Sequence, residues 1–250
     1  MRATTPPPTT PPPTSPPAAA PPPAAARAGR PQSGPPLLAP AISTAALTVA
    51  YTVVNRATPR PDATGAEVVR YAQEHGGDAR LGALLLLAAS VPLALCAAVL
   101  YRRLRALGIT APGSAITLVG GVLAAAALVL SAAGAWAGGR LSADAPPALG
   151  RALADVSFLA GGPAFAAGFG LLAAGVSVSA LLTGQLPRAV TWSGLVVAAA
   201  GMLALLALVA DGFMYLLPVV RFGGLVWLLF AAALLPVSRR RSNSTHNQGS

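Results

Sequence analysis

Asp155, Asp211 and Arg221 are ionisable residues at the edges of long apolar runs. A charge at the centre of a bilayer costs at least ~2.5 kcal/mol, so such a group reaches for the headgroups, pairs with an opposite charge or lines a polar cavity. Two readings stand. The three side chains anchor their helices at the interface, or they form a paired cluster that closes or lines an outward-facing cavity. In the second reading Arg221 pairs with Asp211, Asp155 or both. The segment DGFMYLLPVVR, with Gly212 and Pro218, is able to turn back and bring Arg221 towards Asp211. Gly161, Gly162 and Pro163 form the other candidate feature, a helix break. Pro163 has no backbone N–H, and paired glycines allow a bend or a close helix approach. Broken helices occur at transporter binding sites, although a plain kink with tight packing is the simpler expectation.

Other chemistry is sparse. The chain contains no HExxH, GxSxG, Walker loop or Cys/His cluster. An intramembrane enzyme needs a nucleophile–base pair or a metal set, and only scattered Ser, Thr and edge Asp are on offer. No catalytic residue, cofactor or metal site is assigned, and the chain is expected not to be an enzyme. His75, near Glu74 and Asp78, reads as part of a solvated loop. Cys96 is the one cysteine, so no disulfide framework exists, and it reads as a packed or lipid-facing side chain. Asn243-Ser244-Thr245 fits the glycosylation acceptor pattern but falls on the expected cytoplasmic tail, and is discounted.

The elements that would position these residues follow from composition. Of 250 residues, 54% are hydrophobic and only 10% charged, against roughly 25% charged in a soluble domain. A chain this poor in charge cannot cover a globular surface with polar groups, so lipid is its expected solvent and the bilayer its expected partner. The net charge of +10 comes from 17 arginines and no lysine. The arginines fall in short connections and in the tail, where they read as topology signals rather than a nucleic-acid surface. Abundant Ala, Gly, Pro and Arg without Lys looks like the codon bias of a GC-rich bacterial genome.

Apolar runs place six spans at 37–54, 81–101, 114–137, 155–182, 190–210 and 215–237, each to be compared with the ~20 residues needed to cross hydrocarbon. The expected fold is all-α, a polytopic transmembrane bundle over 37–238. The first span is the weakest, and the sixth has an alternative start at Phe222. Residues 1–36, rich in Pro, Thr and Ala, are expected to be a disordered tail with polyproline II character, a spacer rather than a signal peptide. Residues 239–250 form a short basic and polar tail. The clusters Arg102, Arg103, Arg105 and Arg239, Arg240, Arg241 are separated by an even number of spans, which predicts both termini in the cytoplasm of a cell with this protein in its inner membrane. In the connection 55–80, Thr64 and Glu67 have capping-box spacing and Gly76 suits a helix end. A short amphipathic helix on the outer surface, with Val68, Val69, Tyr71 and Ala72 on one side, is expected there. ITLVGGVLAAA (116–126) is similar to VTWSGLVVAAA (190–200), by chance or through a repeated hairpin.

The stretches AEVVRYAQEHGGDARLGALLLL (66–87), YRRLRALG (101–108), DVSFLAGGPAF (155–165), LPRAVTWSGLV (186–196) and RFGGLVWLLFAAALLP (221–236) resemble a family of small multi-pass integral membrane proteins of actinobacteria that carry no assigned activity. The resemblance covers about 40–238. It implies several membrane spans and transfers no site residue. The function expected is that of a non-catalytic accessory, sensing or structural membrane protein. The alternative is a small transporter or a binding protein for a lipid or hydrophobic solute. A polar cavity reaching Asp155, Asp211 and Arg221 would favour the alternative, and a fully packed bundle the accessory role.

Overall fold

The computed structural model of the protein describes residues 36–59, 61–108 and 112–236. The proline-rich segment, apart from Pro36, and the tail 239–250 lie outside the described residues. The described chain is a bundle of helices without a strand. Helix α1 spans Leu38–Val54, α2 Gly65–Ala106 and α3 Pro112–Gly138; α4 (Pro147–Leu159) and α5 (Phe165–Thr183) form one passage through a π-turn at Ala160–Ala164. Helix α6 (Arg188–Leu203) runs on as a 3-10 turn, Ala204–Leu208. The last passage is composite: a 3-10 turn Asp211–Tyr215, α7 (Leu216–Pro218), a π-turn Val219–Gly223 and α8 (Gly224–Leu234). Five of the six passages are long and apolar enough to cross a membrane, and α1, with 17 residues, is the short one. At 1.5 Å per residue α1 reaches roughly 25 Å, a little less than the hydrocarbon thickness.

The outside of the bundle is as apolar as the inside. On α2, Leu86, Ala89, Leu93 and Ala97 are buried, while Leu84, Leu87, Val91 and Leu95 form a second, exposed stripe at helical spacing. A helix in water would carry polar residues on that second face. Apolar on both faces, α2 needs protein on one side and lipid on the other, and the fold is that of a multi-pass membrane protein.

Helix α5 lies at the centre, with α3 against one face and α6 against the other. Small residues let these backbones touch. A Cβ on Gly168 would lie 2.6 Å from the Ala124 nitrogen of α3, and one on Gly170 would lie 3.2 Å from the Gly201 Cα of α6. Positions two apart on a helix point roughly 200° away from each other, so the two glycines serve opposite neighbours. Thr117 and Thr191 match across the similar stretches 116–126 and 190–200, and each donates its hydroxyl to the carbonyl four residues back, at 2.8 and 3.3 Å. Gly120 packs on the α5 backbone and Gly194 on Ser177 of α5. The likeness of the two stretches thus coincides with one packing solution used on both sides of α5.

Two boundaries differ from expectation. Thr64 and Glu67 do form a capping box, but the helix they open does not stop at Gly76. It bends at His75 (φ −126°, ψ 24°) and continues as α2. Its apolar face packs on α4, where Val69 meets Gly150. The fourth passage starts eight residues earlier than the apolar run implied, because Pro147 occupies the first turn, where its fixed φ suits a helix and its missing N–H is not needed. At the opposite end of the bundle, Arg103 of α2 is buried and donates from Nη1 to the Leu235 carbonyl just after α8, at 3.0 Å. The end of α2 and the end of the last passage therefore lie together.

Candidate functional site

Span six brings an arginine into the bundle. Arg221 lies inside the π-turn Val219–Gly223 and is partly buried. Its Nη2 donates to the carbonyl of Gly161, in the π-turn of the fourth passage. The local cause is legible in the backbone. The N–H of Phe165 donates to the carbonyls of Ala160 and Gly162, passing over Gly161. Pro163 supplies no N–H at all. A helix interrupted in this way has a carbonyl to offer, and Arg221 takes it. Space also requires glycine here, since a Cβ at Gly161 would collide with the Ser131 hydroxyl.

The guanidinium of Arg221 stands over two rings, 5.2 Å from the centroid of Phe165 and 5.8 Å from that of Tyr51 in α1. An arginine in hydrocarbon costs at least ~2.5 kcal/mol. A hydrogen bond from a charged donor contributes ~1.5–3 kcal/mol and a partly desolvated cation–ring contact ~0.5–2 kcal/mol. These contacts are sufficient to hold the cation without a carboxylate. Beside it, α3 and α4 are tied by a reciprocal pair. Ser131 donates to the Ser157 carbonyl at 2.9 Å, and Ser157 donates to the Ser131 carbonyl at 3.0 Å.

These side chains surround a cavity of about 510 Å³. It runs from Arg221, Gly161 and Ser131 to the connection after α1, and its walls include Tyr51, Phe158 and Leu217. Beyond Phe165 the bundle closes on Phe169, whose ring lies 6.4 Å from that of Trp227, and Trp227 donates to the Val190 carbonyl at 3.0 Å. The cavity thus extends from Phe165 to Asn55, Arg56, Thr58 and Pro59 of the connection. Three arginines line it, Arg56, Arg151 and Arg221, against one carboxylate, Asp155. Arg151 holds Asp155 at 3.0 Å across one turn of α4, with the two side chains 38% and 53% exposed. Arg151 also donates to the Ala63 carbonyl, which fastens the connection to α4.

The expected cluster is therefore corrected. Asp155 and Arg221 do line one cavity, but they do not pair, because Arg151 sits one turn before Asp155 and engages it. Asp211 is exposed in the 3-10 turn and is not among the cavity residues. Among the described residues Arg221 has no ion pair with either aspartate. Gly161, Gly162 and Pro163 are the middle of a π-turn between α4 and α5, an interruption of the regular helix across which the chain continues. Tyr51, Ser131, Ser157 and Phe165 were not singled out from the sequence, where they are ordinary members of apolar runs. His75 stacks on Tyr71, with centroids 4.7 Å apart. Among the described residues no three His, Cys, Asp or Glu side chains gather.

The arrangement can hold a solute more readily than convert one. Both serine protons are given to backbone carbonyls, and the one carboxylate is engaged. What remains is a cation between aromatic faces at the end of a largely apolar chamber. No family model, curated protein or solved structure matches this chain.

Proposed function

We propose that the protein is a membrane-embedded binding protein or small transporter for an amphipathic solute. The observation that carries this reading is the cavity of about 510 Å³ reaching Arg221 inside the bundle. Its volume falls in the ~300–1,000 Å³ range of small-ligand sites, and such sites combine apolar walls with a few placed polar groups. A purely accessory subunit has no need of a chamber that exposes an arginine to space. Photolabelling tests the reading. The full chain in lipid nanodiscs, treated with a neutral diazirine-bearing alkyl probe, should give adducts on Tyr51, Phe158 or Leu217. Ala154→Phe, which fills the chamber, should suppress them. Labelling confined to lipid-facing residues such as Leu84 and Val91 contradicts the proposal.

We also infer a cell membrane with both termini in the cytoplasm. Arg102, Arg103 and Arg105 support this orientation through the preference of arginine for the inner side. Their end of the bundle is shared with Leu235, through the bond from Arg103. Reporter fusions after residues 106 and 236 should both read cytoplasm; opposite readings would reject the orientation.

A further inference from the structure

We propose that the solute is a singly charged carboxylic amphiphile whose head group docks on Arg221 and whose chain lies along the apolar wall. This inference rests on the binding reading above and specifies what is bound. Three observations support it. First, charge: the cavity is lined by three arginines and one aspartate, and that aspartate is held by Arg151. The surplus is positive. Second, position: Arg56 is exposed in the connection after α1 and Arg151 is engaged by Asp155, whereas Arg221 is partly buried between Tyr51 and Phe165. A guanidinium presents five N–H donors in a rigid fork that matches a carboxylate, and the carbonyl of Gly161 accepts one of them. Third, the wall: Phe158 and Leu217 flank Gly162 and continue the apolar surface away from Arg221. Arg56 is exposed and Arg151 is taken by Asp155, so Arg221 is the cation left to a head group inside the chamber, and a carboxylate matches its single charge and its fork.

The contact to Gly161 also sets the direction of the fork. Arg221 is pinned to the π-turn of the facing passage on one side and covered by rings on two others. A ligand head group has only the chamber from which to approach.

The test uses the full chain in nanodiscs at mildly alkaline pH, where a free fatty acid is ionised. The probes are a diazirine-bearing palmitate and the corresponding alcohol, which share one chain and differ only in the head. The wild type should give cavity adducts with the acid at least about ten-fold more efficiently than with the alcohol, as expected for a charge-assisted hydrogen bond. Arg221→Gln should reduce the acid to the level of the alcohol, and Arg221→Lys should retain part of the preference. Equal labelling of the wild-type cavity by acid and alcohol overturns the head-group assignment and leaves the binding reading intact. Absence of cavity adducts from either probe overturns both. The comparison of the two probes on the wild type requires no variant to fold.

Discussion

Two arginines lie inside this bundle, and each donates to a carbonyl of another passage. Arg103 is 8% exposed and reaches the Leu235 carbonyl at the end of α8, with Leu100, Leu104 and Leu107 buried beside it in sequence. Arg221 reaches a carbonyl in the middle of a passage, freed by a π-turn, and faces a chamber. The bond type is shared and the setting differs. The last carbonyls of a helix have no partner within it and carry partial negative charge, so a cation there serves as a fastening. The π-turn withdraws the usual N–H partner of the Gly161 carbonyl, because Phe165 donates to Ala160 and Gly162 instead, and so leaves that carbonyl to the cation. One end of the bundle is therefore tied shut, and the other holds its cation where a solute can meet it.

The largest expected effect is at the closed end. Arg103→Ala removes a buried side chain and strands the Leu235 carbonyl, and should lower stability by about 3 kcal/mol. Arg221→Met should cost about 1 kcal/mol or less, because the loss of its contacts is offset by removal of a desolvated charge. Thermal unfolding in detergent compares the two, and equal losses would erase the distinction between the two ends of the bundle. A middle-sized effect belongs to the serine pair. Ser131→Val removes one of the two reciprocal bonds between α3 and α4, leaves the Ser157 carbonyl with the Ala160 N–H alone, and should cost about 1 kcal/mol. Adding Ser157→Val should cost less than its own single loss, since the two bonds tie the same pair of helices; additive losses would show that the serines act independently. The smallest effects belong to the aspartates. Asp155→Asn weakens a half-exposed pair on one helix turn and should change stability by about 0.5 kcal/mol or less. Asp211→Asn should have no measurable effect, and the double variant Asp211→Asn, Arg221→Met should be additive. Coupling between those two residues would restore the ion pair that the structure does not contain.

The contrast between the ends was only half visible in the sequence. Apolar length alone located all six passages, since ~20 consecutive apolar residues have few other uses. The arginine cluster 102–105 and the last span were placed on one side by parity, and the bond between Arg103 and Leu235 joins those ends. The chamber was not legible. Asp155 reads as the start of a span because the apolar run begins beside it. Pro147 as a first-turn residue and the four-residue spacing of Arg151 and Asp155 were the available signals, and they point to an earlier start and a local partner. The arm of α2 reads as a separate surface helix because Gly76 suits a helix end. Tertiary packing of Val69 on Gly150 holds the arm against α4 instead. Nothing in the run AGGPA distinguishes a π-turn from a kink, because the difference lies in which carbonyl each N–H selects.

The π-turn at Ala160–Ala164 amounts to one residue inserted into an otherwise regular helix. Each residue turns an α-helix by about 100° and advances it by 1.5 Å. The insertion therefore acts as a phase shifter between two halves of one rod. Downstream, Gly168, Gly170 and Gly175 must keep their azimuths to mesh with α3 and α6. Upstream, Arg151, Asp155 and Ser157 face the chamber only with the extra increment in place. Forcing Ala160–Ala164 into regular α-helix with the residue count unchanged would swing that whole upstream half by about 100°, whereas deleting Gly162 removes the increment together with its residue and keeps the two halves in phase. The two ends of the passage are thus free to meet different geometric demands, one set by close packing and the other by an empty space, within a single continuous helix.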